Sequence, residues 1–154
     1  MITLFPFIES LKIGIKFQIQ FDVRAQEKAG TLFHVDGNGD RLTITLEEDG
    51  SIKVVCNNGG GLFSVSYKPE TSICNGDIYS VLLQKEGKTL KLTVNGVMTE
   101  ETTSKSASSA DTKSPAYFGG VPSKWSIPLR VKGFAEQIFK GHSKKYVCTK
   151  MADF

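Results

Sequence analysis

The segment from Asp36 to Asp40 is the densest group of side-chain oxygens in the chain. Together with Glu47, its acidic and amide residues fall at the first, third, fifth and twelfth positions of an EF-hand calcium loop. Arg41, however, stands where that loop needs glycine for its sharp bend, and residues 42–47 alternate as a strand does. The alternative is a turn rich in Asn, Asp and Gly that joins two strands, and the pattern favours it.

Residues with catalytic chemistry are few and poorly placed. His34 lies in an apolar strand pattern and His142 in a basic stretch without an acidic neighbour. The carboxylate pairs Glu47-Glu48 and Glu100-Glu101 are adjacent in sequence, and adjacent strand residues point to opposite faces of a sheet. No Gly-x-Ser-x-Gly motif occurs, and Gly59-Gly60-Gly61 is not followed by the Lys-Ser/Thr of a phosphate loop. We therefore predict no enzymatic activity.

The elements that would position these residues are strands. Apolar and polar residues alternate with a period of two, and glycine-containing turns at Asp49-Gly50, Glu86-Gly87-Lys88 and Asn95-Gly96 separate the runs. The predicted strands are 17–23, 31–35, 42–46, 52–56, 62–67, 78–85, 89–94, 97–98, 116–118 and 131–139. The polar run 102–109 is either a surface loop or a sheet edge. Short strands at regular spacing, with no helical period, predict an all-β protein built as an antiparallel β-sandwich.

Length and composition indicate a single domain. The 154 residues include 40% hydrophobic residues, which is enough for one core. No apolar run approaches the roughly 20 residues of a membrane helix, so we expect no membrane insertion. Met1 to Phe7 is too short for the apolar region of a secretory signal. We expect residues 1–154 to form one module of a longer protein.

Positive charge is concentrated toward the carboxyl end, although the formal net charge is only +3. The basic residues there are Lys124, Arg130, Lys132, Lys140, Lys144, Lys145 and Lys150. Such a region can attract sulfated glycans, acidic proteins or anionic membranes. The alternative is a solvated edge, since lysines also protect exposed strands from pairing with other chains.

Cysteine usage leaves the redox state open. Cys56, Cys74 and Cys148 form no Cys-x-x-Cys pair, which excludes a zinc ribbon or a thioredoxin motif. Because the count is odd, at least one thiol is free or pairs outside this segment.

The order and spacing of several short motifs resemble a laminin G-like domain, and most closely the G modules of laminin α subunits, over about residues 10–140. The resemblance begins with Gly30-Thr31-Leu32-Phe33 and continues through Gly39-Asp40-Arg41-Leu42. Residues 75–81 and 90–96 correspond to the middle strands of the family. It ends with residues 110–115 followed by Tyr117-Phe118-Gly119-Gly120-Val121-Pro122. The resemblance implies a concanavalin-like jelly roll.

The resemblance also implies a calcium site at the rim of the sandwich. Its side-chain ligands would be Asp40 and Asp111, and its backbone carbonyl ligands would come from Asn58 and Ser109. Hard oxygen donors of this kind suit Ca²⁺. The alternative is that both aspartates are ordinary surface residues.

In function, the resemblance implies a non-catalytic adhesion module, secreted into the extracellular matrix of basement membranes. Implied partners are heparan sulfate or dystroglycan-type polysaccharide, an integrin or other receptor, and neighbouring domains of the parent protein, but not nucleic acid. The expected ligand-binding residues are Arg41, Lys113, Lys140, Lys144 and Lys145.

Two other functional classes are weighed against adhesion. One is an architectural module that docks against neighbouring domains and binds neither metal nor ligand. The other is a glycosidase of the concanavalin type, which needs two close carboxylates in a concave sheet. The inward positions of the predicted strands are apolar rather than acidic, which disfavours the glycosidase.

Overall fold

The computed structural model describes residues 10–25, 29–71, 73, 75–118 and 146–147. The strands in these ranges are β1 (Lys16–Val23), β2 (Gly30–Gly37), β3 (Asp40–Leu46), β4 (Ile52–Asn57), β5 (Leu62–Tyr67), β6 (Tyr79–Glu86), β7 (Thr89–Val94), β8 (Val97–Thr102), β9 (Tyr117–Phe118) and β10 (Tyr146–Val147). Within the same ranges we find no helix of the length and apolarity that crossing a membrane requires.

The strands form two antiparallel sheets that pack face to face. One sheet has the order β10-β1-β6-β7-β8, and the other has the order β5-β4-β3-β2-β9. This arrangement confirms the predicted all-β sandwich. The predicted strand at 131–139 and the segment Gly119 to Pro122 lie outside the described residues.

The edge strand β8 is longer than its sequence pattern predicts. We expected a strand only at Val97-Met98, but β8 continues through Glu100 and Glu101 to Thr102. Every residue of β8 pairs with β7, from Val94 opposite Val97 to Thr89 opposite Thr102. Because an edge strand has little to bury, backbone pairing extends it where apolar alternation has already ended.

The core lies between the sheets and is filled by one face of each strand. Alternating burial in β4 and β6 identifies the inward positions, and strand register extends the assignment to β3. The inward apolar residues include Phe17, Ile19, Phe21 and Val23 of β1, Leu42, Ile44 and Leu46 of β3, Ile52, Val54 and Cys56 of β4, and Val81 and Leu83 of β6. The rings of Phe17 and Phe33 stack with their centroids 6.0 Å apart, which joins the two sheets.

The oxygen-rich segment 36–40 is a tight hairpin and not the start of an EF-hand loop. Strand β2 ends at Gly37 and β3 begins at Asp40, while Asn38 and Gly39 have φ angles of 52° and 83°. Positive φ at both central residues defines a type I′ turn, for which Asn-Gly is the typical sequence. At Gly37, where φ is 152°, a Cβ atom would stand 2.5 Å from the backbone nitrogen of Lys113. Glycine therefore allows this hairpin to approach residues 112–113 closely.

Candidate functional site

Three inward-facing rows of side chains end in polar residues at the same end of the sandwich. Asp40 continues the row of Leu42 in β3, Asn58 continues the row of Cys56 in β4, and Lys85 continues the row of Leu83 in β6. These three residues, which we call the polar end cluster, expose only 7%, 5% and 2% of their surface. Buried polar groups need hydrogen-bond partners, so the cluster must organise the loops around it.

Asp40 holds the segment that contains Asp111. The backbone N–H of Asp111 donates a hydrogen bond of 2.7 Å to Oδ2 of Asp40, across 71 positions of sequence. The other carboxylate oxygen, Oδ1, faces Gly59, where a Cβ atom would lie 3.4 Å away. The two aspartates that the resemblance selects therefore lie together at one rim.

The carboxylate of Asp111 points to solvent and is paired with a lysine. Lys12 Nζ lies 3.1 Å from Asp111 Oδ1, and the Ser109 hydroxyl donates to the same oxygen over 3.2 Å. The hydrogen bond and charge of Lys12, with the hydroxyl of Ser109, lower the pKa of Asp111 below its ordinary value. Asp111 is thus ionised and electrostatically compensated.

Lys85 is a buried ammonium group that backbone carbonyls surround. Its Nζ donates to the carbonyl oxygens of Gly14, Gly87 and Ser108, each at 2.9 Å, with Ile15 O at 3.5 Å. Burial lowers the pKa of Lys85, and the neighbouring Cys56 and then Asp40 act in the opposite direction. Lys85 thereby joins the start of β1, the β6–β7 turn and the segment before Ser109.

Asn58 makes a second set of hydrogen bonds to the same loops. Its side-chain amide donates to the carbonyl oxygens of Gly87 at 3.3 Å and Ala107 at 3.2 Å. The Cys56 thiol donates to Asn58 Oδ1 over 3.5 Å, and burial raises the pKa of Cys56 to about 12. Cys56 is therefore a neutral thiol that orients the Asn58 amide.

The carbonyls predicted as ligands lie on segments that these bonds hold. Ala110 exchanges two backbone hydrogen bonds with Gly14, at 2.9 and 3.2 Å, which fixes the chain directly after Ser109. Loop 57–61 is braced by Asn57 Oδ1, which accepts from the N–H groups of Gly59 and Gly61. The four predicted ligand residues, Asp40, Asn58, Ser109 and Asp111, thus belong to one connected rim.

The predicted ligand-binding residues divide into three kinds. Arg41 is buried on the outer face of β3, opposite Asp36 of β2 and Asn57 of β4, so little of it is available to a ligand. Lys113 is exposed beside the rim, and its backbone N–H donates to Asp36 O at 2.8 Å. Lys140, Lys144 and Lys145 lie outside the described residues.

His34 is a packed polar residue of the outer face. Its Nδ1 lies 2.8 Å from the Thr43 hydroxyl and its Nε2 lies 3.3 Å from Asp36 Oδ2. The hydrogen bond from His34 is the largest cause of the lowered pKa of Asp36. The backbone carbonyl of Asp36 accepts from both Lys113 and Ser114, so this group braces the segment after Asp111.

Two residues of the site, Lys85 and Lys12, were missed by sequence reasoning. Lys85 did carry a signal, because it occupies the next inward position after Tyr79, Val81 and Leu83 in a strand that alternates cleanly. A lysine on the apolar row of a strand calls for internal partners. Lys12 had no comparable signal, since its contact with Asp111 spans 99 positions and depends on the whole fold.

The chemistry of the rim fits a hard divalent cation. Asp40 and Asp111 supply carboxylate oxygens, and loops 57–61 and 107–111 bring backbone carbonyls to the same end. Among the described residues, no three or more His, Cys, Asp or Glu side chains gather in one place. A cation here would therefore depend on two carboxylates, completed by carbonyls and water, as Ca²⁺ accepts.

The chain is similar in sequence and structure to proteins of one known family. Residues 23–140 match the laminin G domain family. The chain is 31% identical to mouse laminin subunit alpha-4 over 121 residues, which cover 78% of this chain and 7% of that protein. The structure of domains LG4-5 of the mouse laminin alpha1 chain matches with a TM-score of 0.77 and 26% identity, covering 90% of this chain and 36% of that one.

A second solved structure supports the fold alone. The LG1-3 region of the laminin alpha2 chain matches with a TM-score of 0.70 and 16% identity, covering 89% of this chain and 30% of that one. The present chain spans only a small part of each of these relatives. Its matched family, its similarity to a laminin alpha subunit and its two-sheet architecture agree: the chain belongs to the laminin G domain family.

Proposed function

We propose that this domain is a non-catalytic, secreted adhesion module of the extracellular matrix, which binds an acidic glycan or a cell-surface receptor through its rim and uses one Ca²⁺. The observation that carries the proposal is the 2.7 Å hydrogen bond between Asp111 N–H and Asp40 Oδ2. It brings two carboxylates from distant parts of the chain to one edge. Membership of a family found in laminin alpha subunits supports the extracellular setting.

Different residues of the rim would bind the calcium ion and attract the acidic ligand. Asp40 Oδ1 and the carboxylate of Asp111 would hold the ion, with the carbonyls of Asn58 and Ser109 completing the protein ligands. When bound, calcium would supply a positive centre with open coordination positions for acidic oxygens of a ligand. Gly59 leaves space beside Asp40 Oδ1, and exposed Lys113 adds positive charge nearby.

Charge balance supports an acidic ligand. Without metal, Lys12 compensates Asp111, and Lys85 is buried in the same polar end cluster as Asp40, so the rim is close to neutral. A divalent cation added to this set leaves an excess of positive charge. Heparan sulfate or dystroglycan-type polysaccharide carries the acidic groups that such a surface attracts.

A thermal melt with and without calcium tests the metal site. Saturating calcium is expected to raise the melting temperature by several degrees, because a ligand that binds only the folded state stabilises it. Asp40→Asn and Asp111→Asn should each abolish the shift. Asp49→Asn is the matched control, since Asp49 lies in the β3–β4 turn at the other end of the sandwich. A wild-type domain that melts at the same temperature in calcium and in chelator would refute the metal site.

A binding assay tests the ligand. Heparin retention should fall steeply with salt, and polysaccharide binding should require both calcium and Asp111. Retention that is unchanged by chelator and by Asp111→Asn would place glycan binding elsewhere on the chain.

One observation favours a second candidate, the architectural module without metal or ligand. The pairing of Asp111 with Lys12 and Ser109 already satisfies the exposed carboxylate. A rim that is compensated in this way needs no cation to be stable. Absence of both calcium stabilisation and glycan binding would favour this candidate, with neighbouring domains of the parent protein as the partners.

A further inference from the structure

Two lysines from different parts of the chain lie at the rim that contains Asp40 and Asp111. Lys12, which precedes β1, pairs with Asp111 at 3.1 Å on the surface. Lys85, from β6, is buried with Asp40 in the polar end cluster, where its Nζ donates to the carbonyls of Gly14, Gly87 and Ser108. Sequence motifs of the family do not select either lysine here.

The two lysines differ in how firmly they are held. The side chain of Lys12 is 62% exposed, and its partner Asp111 is 56% exposed, so water screens this pair. Lys85 is fixed by the carbonyls of Gly14, Gly87 and Ser108, which leave its ammonium no alternative position in solvent. Its charge acts through a medium that screens it far less.

From this arrangement, we propose that Lys12 and Lys85 are resident counter-cations that set the calcium affinity of the rim. They neutralise Asp111 and Asp40 in the calcium-free domain, and they oppose a second cation at the same carboxylates. The inference rests on the proposed calcium site.

A consequence is weak, reversible calcium binding. Binding of the ion breaks or weakens the Lys12–Asp111 pair and places positive charge near Lys85. Domains of extracellular proteins commonly bind calcium with dissociation constants of about 10⁻⁴ to 10⁻³ M. Removal of either lysine is therefore expected to tighten binding rather than to weaken it.

The test is calcium titration by isothermal calorimetry of the whole domain and of single variants. Lys12→Gln should lower the Kd by about twofold to fivefold, in line with the usual strength of an exposed ion pair. Lys85→Met should lower it by about tenfold or more, because the buried charge is poorly screened. Raising the salt concentration should shrink the effect of Lys12→Gln much more than that of Lys85→Met.

Lys16→Gln is the matched control. Lys16 lies in the same stretch as Lys12, forms an ion pair of 3.3 Å with Glu86, and is 56% exposed. Its removal should leave the Kd unchanged. If Lys85→Met does not fold, the comparison of Lys12→Gln with Lys16→Gln decides the question alone.

The outcomes separate this inference from the proposed function. If Lys12→Gln and Lys85→Met leave the calcium Kd unchanged or raise it, the role of the lysines is overturned, while the calcium site stands. No calcium binding by the wild type or by any lysine variant would refute the calcium site, and the inference with it.

Discussion

Two Asn-Gly hairpins of this domain have the same turn but very different surroundings. Asn38-Gly39 joins β2 to β3, Asn95-Gly96 joins β7 to β8, and all four residues have positive φ angles. After the first turn comes Asp40, buried and bonded to Asp111. After the second come Val97 and Met98, which are 52% and 57% exposed. The turn sequence determines the hairpin, whereas tertiary contacts determine whether it can form a site.

The two hairpins also lie at opposite ends of the sandwich. The Asn38-Gly39 end contains the β6–β7 turn at Gly87, which Asn58 contacts, whereas the Asn95-Gly96 turn lies at the far end of β7. The polar end cluster lies at the first of these ends, where it ties several loops together. The difference predicts that substitutions at the rim end affect both stability and calcium response, and that those at the far end affect neither strongly.

The largest expected effect is that of Lys85→Met. Its substitution leaves the carbonyls of Gly14, Gly87 and Ser108 buried without their donor, so the free energy of unfolding should fall by about 3 kcal/mol or more. Lys91→Met in β7 is the control, because the Lys91–Glu100 pair is exposed and should contribute less than about 1 kcal/mol. Urea denaturation measures both; equal losses would contradict the role assigned to Lys85.

Alanine at the hairpin glycines compares the two ends directly. Gly37→Ala should cost about 3 kcal/mol, because its Cβ would overlap the backbone of Lys113 and its φ is unfavourable for alanine. Gly96→Ala has a φ of 83° but open space around it, so only backbone strain of about 1 kcal/mol is expected. If calorimetry instead finds the lower melting temperature for Gly96→Ala, the backbone of Lys113 does not restrict position 37 to glycine.

A smaller effect is expected from the acid titration of Asp36, two residues before the first turn. The hydrogen bond from His34 lowers the pKa of Asp36 below the ordinary 3.8. A depressed carboxyl pKa stabilises the fold above the unfolded pKa, and this contribution is lost as pH falls through the folded value. The free energy of unfolding of the wild type should therefore fall by up to about 1 kcal/mol more than that of Asp36→Asn when the pH is lowered below 3.8.

Urea midpoints measured as a function of pH provide that comparison. Asp77→Asn is a suitable control, because Asp77 is exposed in the connection between β5 and β6. Parallel curves for wild type and Asp36→Asn would show that the His34–Asp36 contact does not stabilise the fold.

The smallest effect is predicted at the far hairpin. Met98→Gln should change stability by less than about 0.5 kcal/mol, since the side chain is more than half exposed. It should also leave the response of the melting temperature to calcium intact. A large loss of either would mean that the far end is coupled to the rim.

The fold was largely predictable from the sequence, because alternation and Asn-Gly turns are local signals. β1 and β7 have the predicted bounds to within one residue, and the all-β class is confirmed. The end of β8 was not predictable, since Glu100 and Glu101 show no apolar alternation and are held by pairing with Lys91 and Leu90. Burial of Arg41 was missed for a similar reason: it depends on neighbours across the sheet.

The candidate site was predictable in part. Asp40 and Asp111 came from the family resemblance, and the contact between them is long-range, so local sequence patterns do not reveal it. Lys85 is the one residue that stricter use of alternation would have found. Whether the rim binds calcium remains a prediction.

Diffraction from crystals grown in millimolar calcium, with anomalous data collected to identify the ion, would decide whether the rim is a metal site. We predict one calcium peak bonded to Asp40 Oδ1 and to the carboxylate of Asp111, with Lys12 displaced from Asp111. A rim without a calcium peak, in which Lys12 still contacts Asp111 Oδ1, would contradict the proposal.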